Sequence, residues 1–391
     1  MATYTNIATG VVLNQDEFSA LVCNATYTCC DQQDNVWFTA NDAKNEYQWQ
    51  QYFIANNLCS DGNAPINTVP PAISGTLVVG NVLSCSTGTW TSDTGITGYT
   101  YQWYRGLTLI VGETNNTYTL VQADAGQNIK CVVTACDSDG CTNADSNVVY
   151  ILDADYASVL SRGTTLGYTL PDSALQVKQN ATVLSFKSAG IWSKLDVLYI
   201  MATNNSNMAT LNFKNPSAHQ LTLVNSPTFT ANQGFKGNAS TSYLNTNFNP
   251  ATSGVQYTLN NASRFIYLKT AFVTSPYYIL DSAQAFSINT LQNRSVNDQK
   301  INQGTSAVSS NADLSGVGLK VINRTSSTNV ELFNGSTQLS RTATSTSISS
   351  LNQWVLSSGC DAHASVYGMG ASLVAENAQL KIILDTYINS L

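Results

Sequence analysis

Three residues constrain this chain more than any other feature: Cys85, Trp103 and Cys131, spaced by about 18 and 28 residues. Two cysteines on strands of facing sheets can meet across an interior, and a tryptophan on a third strand then covers their sulfurs. The flanking residues agree with this arrangement. Tyr99-Thr100-Tyr101-Gln102-Trp103-Tyr104 alternates as a half-buried strand does. Tyr118-Thr119-Leu120, followed by Ala123-Asp124-Ala125-Gly126, supplies another strand and a corner. The spacing predicts a two-sheet antiparallel sandwich at residues 63–151.

The rest of the chain must be organised around that unit. At 391 residues it is too long for one ordinary domain. Only 10% of its residues are charged, against an ordinary share of about 25%. Asn, Ser and Thr carry the solubility, which suits Thr-rich sheets with Asn and Gly turns better than exposed helices held by ion pairs. A mostly β protein is expected. The net charge of −7 and scattered basic residues exclude a phosphate-binding surface, so no nucleic acid is expected as partner. Apolar runs such as Val197–Ala202 are too short to span a bilayer, so no membrane insertion is expected.

Eight of the nine cysteines fall in the first 141 residues, a density that marks disulfides formed in an oxidising place. The opening Met1-Ala2-Thr3-Tyr4-Thr5-Asn6 has neither a basic nor an apolar signal region. Synthesis in a bacterial cytoplasm, followed by oxidation on an exposed particle, reconciles the two; a mature secreted chain is the alternative.

Residues 1–62 are expected to form a small α+β block with strands at Gly10–Leu13 and Asn35–Ala40. Asp42–Asn57 reads as an amphipathic helix burying Trp49, Tyr52 and Phe53. Cys23, Cys29, Cys30 and Cys59 could pair in three ways; adjacent Cys29-Cys30 lacks the two-residue gap of a zinc knuckle, so disulfides are preferred and no metal is expected. Residues 63–71 hold three prolines and read as a stiff linker into the sandwich. Residues 152–391 form the largest block, with strand-like runs at Thr182–Lys187, Leu195–Ala202, Leu211–Phe213, Phe265–Ala271, Tyr277–Leu280, Gly318–Ile322, Asn329–Phe333 and Trp354–Ser357. Asn334-Gly335 predicts a type I′ hairpin turn. Glu376–Leu391 carries an apolar stripe of Leu380, Ile383, Leu384, Tyr387, Ile388 and Leu391 and reads as a helix.

With these residues in view, two resemblances emerge. Pro71–Gly75, Val79–Leu83, Gly88-Thr89-Trp90, Tyr101–Tyr104 and Tyr118–Leu120 with Asp124–Gly126 resemble bacterial and phage immunoglobulin-like modules. One departure is Ile129, which stands where a tyrosine corner would place its Tyr. Cys136 and Cys141 flank Asp137-Ser138-Asp139-Gly140, which reads as a hairpin turn with acidic residues, the alternatives being a disulfide-pinned recognition tip or a cation site on Asp137 and Asp139. Residues 153–391 are similar to concanavalin-like jelly-roll domains of phage tail and head-fibre proteins. That resemblance rests on Leu195–Ala202, Ala209–Pro216, Phe235–Asn238, Tyr243–Thr246, Val321–Arg324 and the Phe333-Asn334-Gly335 hairpin.

Chemistry is sparse. The acidic residues Asp172, Asp196, Asp281, Asp298, Asp313, Glu331, Asp361 and Glu376 are isolated, so the paired carboxylates of a glycosidase are missing. Asp361-Ala362-His363 has half a triad's composition but no nucleophile elbow accompanies it, and Cys360 reads as a half-buried free thiol. No catalysis and no cofactor are expected. Sugars stack on exposed aromatic rings beside Asn or Asp, and Tyr277, Tyr278, Tyr243 and Trp192 are the candidates. The resemblances imply a non-enzymatic virion component: a fibre, spike or decoration protein, homo-oligomeric, docked to other virion proteins through residues 1–62, and contacting a host-surface glycan. A secreted bacterial lectin or adhesin is the alternative, and a glycan-degrading enzyme a third.

Overall fold

A computed structural model describes residues 63–271, 278–282, 290–292, 299–303, 316–357 and 360–391, with 3–6, 12–14, 17–18, 36–39, 42–45, 48–49 and 51–52 before them. The chain divides into two compact units, Met1–Tyr150 and Ile151–Leu391. It is mostly β.

At the N-terminus, Val12–Asn14, Thr3–Asn6, Val36–Thr39 and Asp42–Asn45 form one antiparallel sheet in that order. The helix expected from Asp42 therefore starts later. Thr39 pairs with Asp42, so only two residues separate the strands, and cross-strand pairing overrides the helical period there. Trp49 is buried against Tyr4, with ring centroids 5.1 Å apart, whereas Tyr52 is 44% exposed. Phe53 and the candidate disulfide cysteines Cys23, Cys29, Cys30 and Cys59 lie outside the described residues.

The sandwich foreseen at Cys85, Trp103 and Cys131 is present. One sheet runs Thr108–Leu109, Gly98–Arg105, Asn128–Cys136, Cys141–Asp145, with Val149–Tyr150 also on Asn128–Cys136. The other runs Thr117–Thr119, Val82–Cys85, Ile73–Gly75. Period-2 alternation points Ile129, Cys131, Val133 and Ala135 inward. Trp103 is fully buried, rests on Tyr118, and donates its indole N–H to the Asn115 carbonyl at 2.9 Å. Cys136 and Cys141 are bridged. Cys85 and Cys131 depart from the expected bridge: they are two buried free thiols, Cys85 Sγ donating to the Ser86 carbonyl at 3.4 Å and Cys131 Sγ to the Val132 carbonyl at 3.8 Å. The neighbouring Cys85 thiol, ahead of burial, pushes the Cys131 thiol far up.

A buried carboxylate takes over the role of the missing corner tyrosine. Asp124 is fully buried and accepts from Arg105 Nε at 2.7 Å, Tyr118 Oη at 2.8 Å and the Val121 amide at 2.7 Å. Arg105 and Tyr118 belong to different sheets, so Asp124 ties the two together at one corner. Burial first, and the Asp124 hydrogen bond second, push the Tyr118 hydroxyl up to about 12.

The C-terminal unit is a β-sandwich with helices on its outside. Its large sheet runs Thr228–Thr230, Gly234–Lys236, His363–Gly370, Ala262–Leu268, Gly318–Arg324, Asn329–Phe333, Gln338–Thr342, and Leu195–Ile200 also pairs with His363–Gly370. Its small sheet runs Thr222–Val224, Tyr243–Asn245, Gln353–Val355, Tyr278–Ser282, Thr290–Gln292. Val197, Tyr199, Ile266, Ile322, Tyr367 and Met369 of the large sheet meet Leu244 and Val355 of the small one in one core. The large sheet's opposite face, with Leu198, Phe265, Tyr267, Val321 and Val366, packs under three helices. These are α1 (Ala154–Thr165), α2 (Ser173–Ser188) and α3 (Asn377–Ser390). The apolar stripe read on α3 buries Leu380, Ile383, Leu384, Tyr387 and Ile388. Gly368 permits the close packing on this side: a Cβ there would lie 2.3 Å from the Phe265 ring.

Three local expectations are corrected. Thr182–Lys187 is the last part of α2, not a strand. Asp172 caps that helix by accepting the Leu175 amide at 2.8 Å, and Leu175, Gln179, Val183 and Phe186 are buried at helical spacing. Leu211–Phe213 forms no ladder; it is a loop anchored by buried Leu211 and Phe213. In the hairpin, Phe333 pairs with Gln338, leaving a four-residue loop in place of a two-residue turn. Gly335 alone of its Asn-Gly pair has positive φ, and Asn334 Oδ1 accepts the Thr337 amide at 3.0 Å.

Candidate functional site

The small sheet has one face in the core and one face outside, and its strands show the matching alternation. Leu244 and Val355 point inward and are fully buried, while Tyr243, Asn245 and Trp354 point outward and stay partly exposed. Asn245 pairs directly with Trp354, which sets Tyr243 diagonally beside the indole. The two rings stack, with centroids 4.0 Å apart and planes 25° apart. An aromatic stack left partly open on an outward face is a surface for apolar contact with a ligand that also carries hydroxyls.

Polar side chains surround the stack. Thr222 pairs with Asn245 on the next strand out. Asn247, at φ 54°, donates from Nδ2 to Thr222 Oγ1 at 2.8 Å and to the Gln220 carbonyl at 2.7 Å. Its own amide donates to Asn245 Oδ1 at 3.0 Å. His219 Nδ1 lies 2.7 Å from the Asn247 carbonyl. The rim beside the stack is thus fixed before any ligand arrives.

Of the two aromatic candidates whose side chains are described, Tyr243 occupies such a place and Trp192 does not. Trp192 is corrected: it is 9% exposed, in the core beneath the helices. Lys214 covers it, with Nζ 4.3 Å from the ring centroid and donating to the Trp192 carbonyl at 2.8 Å. Tyr277 lies outside the described residues; Tyr278 begins a strand of the small sheet, paired with Gln292. Sequence reading missed Trp354 as a site residue. The signal available was the alternation Gln353-Trp354-Val355, which turns the indole away from a buried Gln353 and Val355.

The other sequence candidates are engaged differently. His363 does not sit on a carboxylate: Nδ1 is 3.2 Å from Thr270 Oγ1 and Nε2 is 3.2 Å from Thr230 Oγ1. Burial, then the positive charge of Lys236, lower its pKa. Cys360 is buried, and burial pushes its thiol up to about 12, which disfavours the thiolate form. Asp93, Asp137 and Asp139 place carboxylate oxygens within 4.8 Å of one another. Asp137 there accepts from Ser92 Oγ at 2.7 Å and from the Asp139 and Gly140 amides at 2.9 and 3.1 Å, the bonding of a tight acidic turn.

No family model and no curated protein matches the chain. Solved structures do. A mutant of Trypanosoma rangeli sialidase displaying trans-sialidase activity matches at 8% identity and TM-score 0.37, covering 81% of this chain and 53% of that one. Trypanosoma rangeli sialidase in complex with sialic acid matches at 9% identity and TM-score 0.35, covering 92% and 65%. This chain therefore spans less than two thirds of either. The expectation of a protein without catalysis is corrected by this comparison, since the neighbours are enzymes. At this level of likeness their reaction is not carried over to the present chain.

Proposed function

We propose that the chain is a structural component of a bacteriophage surface that contacts a host-surface glycan through the Tyr243–Trp354 face. One observation carries the glycan contact: two rings stacked at 4.0 Å on the outward face of a sheet whose other face is core. Sugar rings have apolar C–H faces and hydroxyl edges, and here an aromatic stack lies next to Asn245 and Thr222. The placement on a virion is supported by the resemblances of the two sandwiches and by the Asn-, Ser- and Thr-rich composition. In this reading residues 1–62 dock to other virion proteins, and the chain acts as a homo-oligomer.

The glycan contact is tested by screening the full chain and its Trp354→Ala variant against a glycan array. Binding that disappears with Trp354 supports the proposal. Binding that persists without either ring would place the contact elsewhere. Mass spectrometry of purified particles tests the placement, and particles lacking the polypeptide contradict it.

A further inference from the structure

The same face carries a second pattern, one of charge. Thr222 pairs with Asn245, Asn245 with Trp354, Trp354 with Asp281, and Asp281 with Thr290. These five residues form one transverse row that crosses every strand of the small sheet. With neighbouring strands about 4.8 Å apart, the row is about 19 Å long. That is the reach of a short oligosaccharide, well beyond a single sugar ring.

The five strands read TLV, YLN, QWV, YILDS and TLQ, without a single Lys, Arg or His. Among the described residues, the unit's basic strand residues lie in the large sheet: Lys236, Arg264, Lys320, Arg324, Arg341 and His363. Arg264 and Arg324 there are fully buried and Lys320 nearly so. Carboxylated or sulfated sugars are held by Arg forks, Lys or helix N-termini. On the small sheet they would meet no Arg or Lys among its strand residues. The chain as a whole is also anionic, at −7.

Resting on the glycan reading above, we infer that this face takes a neutral, extended oligosaccharide lying across the strands, with Trp354 at its centre. Tyr243 and Trp354 supply the apolar contact, and the amide of Asn245 and hydroxyl of Thr222 bond sugar hydroxyls along the row. Specificity against acidic glycans comes from the lack of Lys and Arg among the described strand residues of this sheet, together with the charge of the chain.

The test is an array of neutral oligosaccharides of graded length beside carboxylated and sulfated ones, probed with the full chain, Trp354→Ala and Asn245→Lys. Thermal unfolding of each variant is run in parallel, so that loss of fold is seen separately. The expected result is Trp354-dependent binding of neutral glycans that strengthens with length, falling about tenfold or more in Trp354→Ala. Asn245→Lys, which adds a cation to the row and opens no core cavity, is expected to raise binding of acidic glycans by about fivefold. Acidic glycans bound in preference through Trp354 would overturn the neutral class and leave the aromatic face as the site. Monosaccharides bound as well as longer chains would overturn the extended row. Binding of no glycan through Trp354, by a folded protein, would remove both this inference and the reading beneath it.

Discussion

The two sheets of the C-terminal unit share one core yet treat polar residues in opposite ways. The large sheet is covered on both faces, by the small sheet on one side and by α1, α2 and α3 on the other. Ala262–Leu268 is buried at every position, and so is Gly318–Arg324 after its first residue. Its central cations Arg264, Lys320 and Arg324 are therefore enclosed and must find acceptors. Arg324 donates from Nε to the Ile301 carbonyl at 2.7 Å, from Nη1 to Ala343 at 2.8 Å and Ser326 at 3.2 Å, and from Nη2 to Gln303 Oε1 at 3.3 Å. Burial lowers its pKa. The small sheet is covered once, and its free face keeps an aromatic stack and amides in reach of solvent. A sheet covered twice can only be scaffold; a sheet covered once has a face left for recognition.

Substitutions should separate the two sheets, and the largest effect belongs to the covered one. Phe265→Ala removes a fully buried ring beneath the helices and should cost about 4 kcal/mol in chemical denaturation. An unfolding midpoint close to wild type would show that this layer is not tightly packed. Arg324→Ala strands three carbonyls and an amide oxygen in the interior and should cost about 3 kcal/mol. If Arg324→Met instead proves neutral, the bonds are dispensable and the side chain acts through its volume.

Acid should act on the covered sheet through His363. Its folded pKa is lowered by burial and Lys236, so the unfolded chain binds the proton more readily. The stabilising contribution is present above the unfolded value of about 6.5 and is lost as pH falls through the lowered folded value. A His363→Gln variant should flatten that part of the stability–pH curve, and an unchanged slope would assign it to other groups. The smallest effect belongs to the open face. Trp354→Ala should cost only about 1 kcal/mol, because its ring is stacked but partly exposed. A loss comparable to that of Phe265→Ala would mean that the indole is structural.

The sequence made these two layers unequally legible. The immunoglobulin-like sandwich could be read from Cys85, Trp103 and Cys131 because its core repeats at period two along single strands. The terminal helix was legible for the same reason, at period 3.6. The segment Thr182–Lys187 misled because its Thr and Val have high β propensity, whereas the cap at Asp172 decides its conformation. The corner made by Asp124 was invisible, since it needs Arg105 and Tyr118 brought together from separate sheets. The site divides in the same way. Tyr243 stood out as an aromatic beside Asn, while its partner Trp354 is remote in sequence and meets it only through strand pairing. Trp192 looked equivalent until packing enclosed it beneath the helices.

If the open face of the small sheet is the binding surface, glycan affinity must depend on the Trp354 indole while the fold does not. Equilibrium affinity for the best neutral oligosaccharide on the array is determined for the full chain and for Trp354→Ala, with the unfolding midpoint of each recorded alongside. An affinity loss of about tenfold or more is expected, with a midpoint that moves little. An affinity indifferent to the loss of the indole, or one that falls only in step with unfolding, would contradict it.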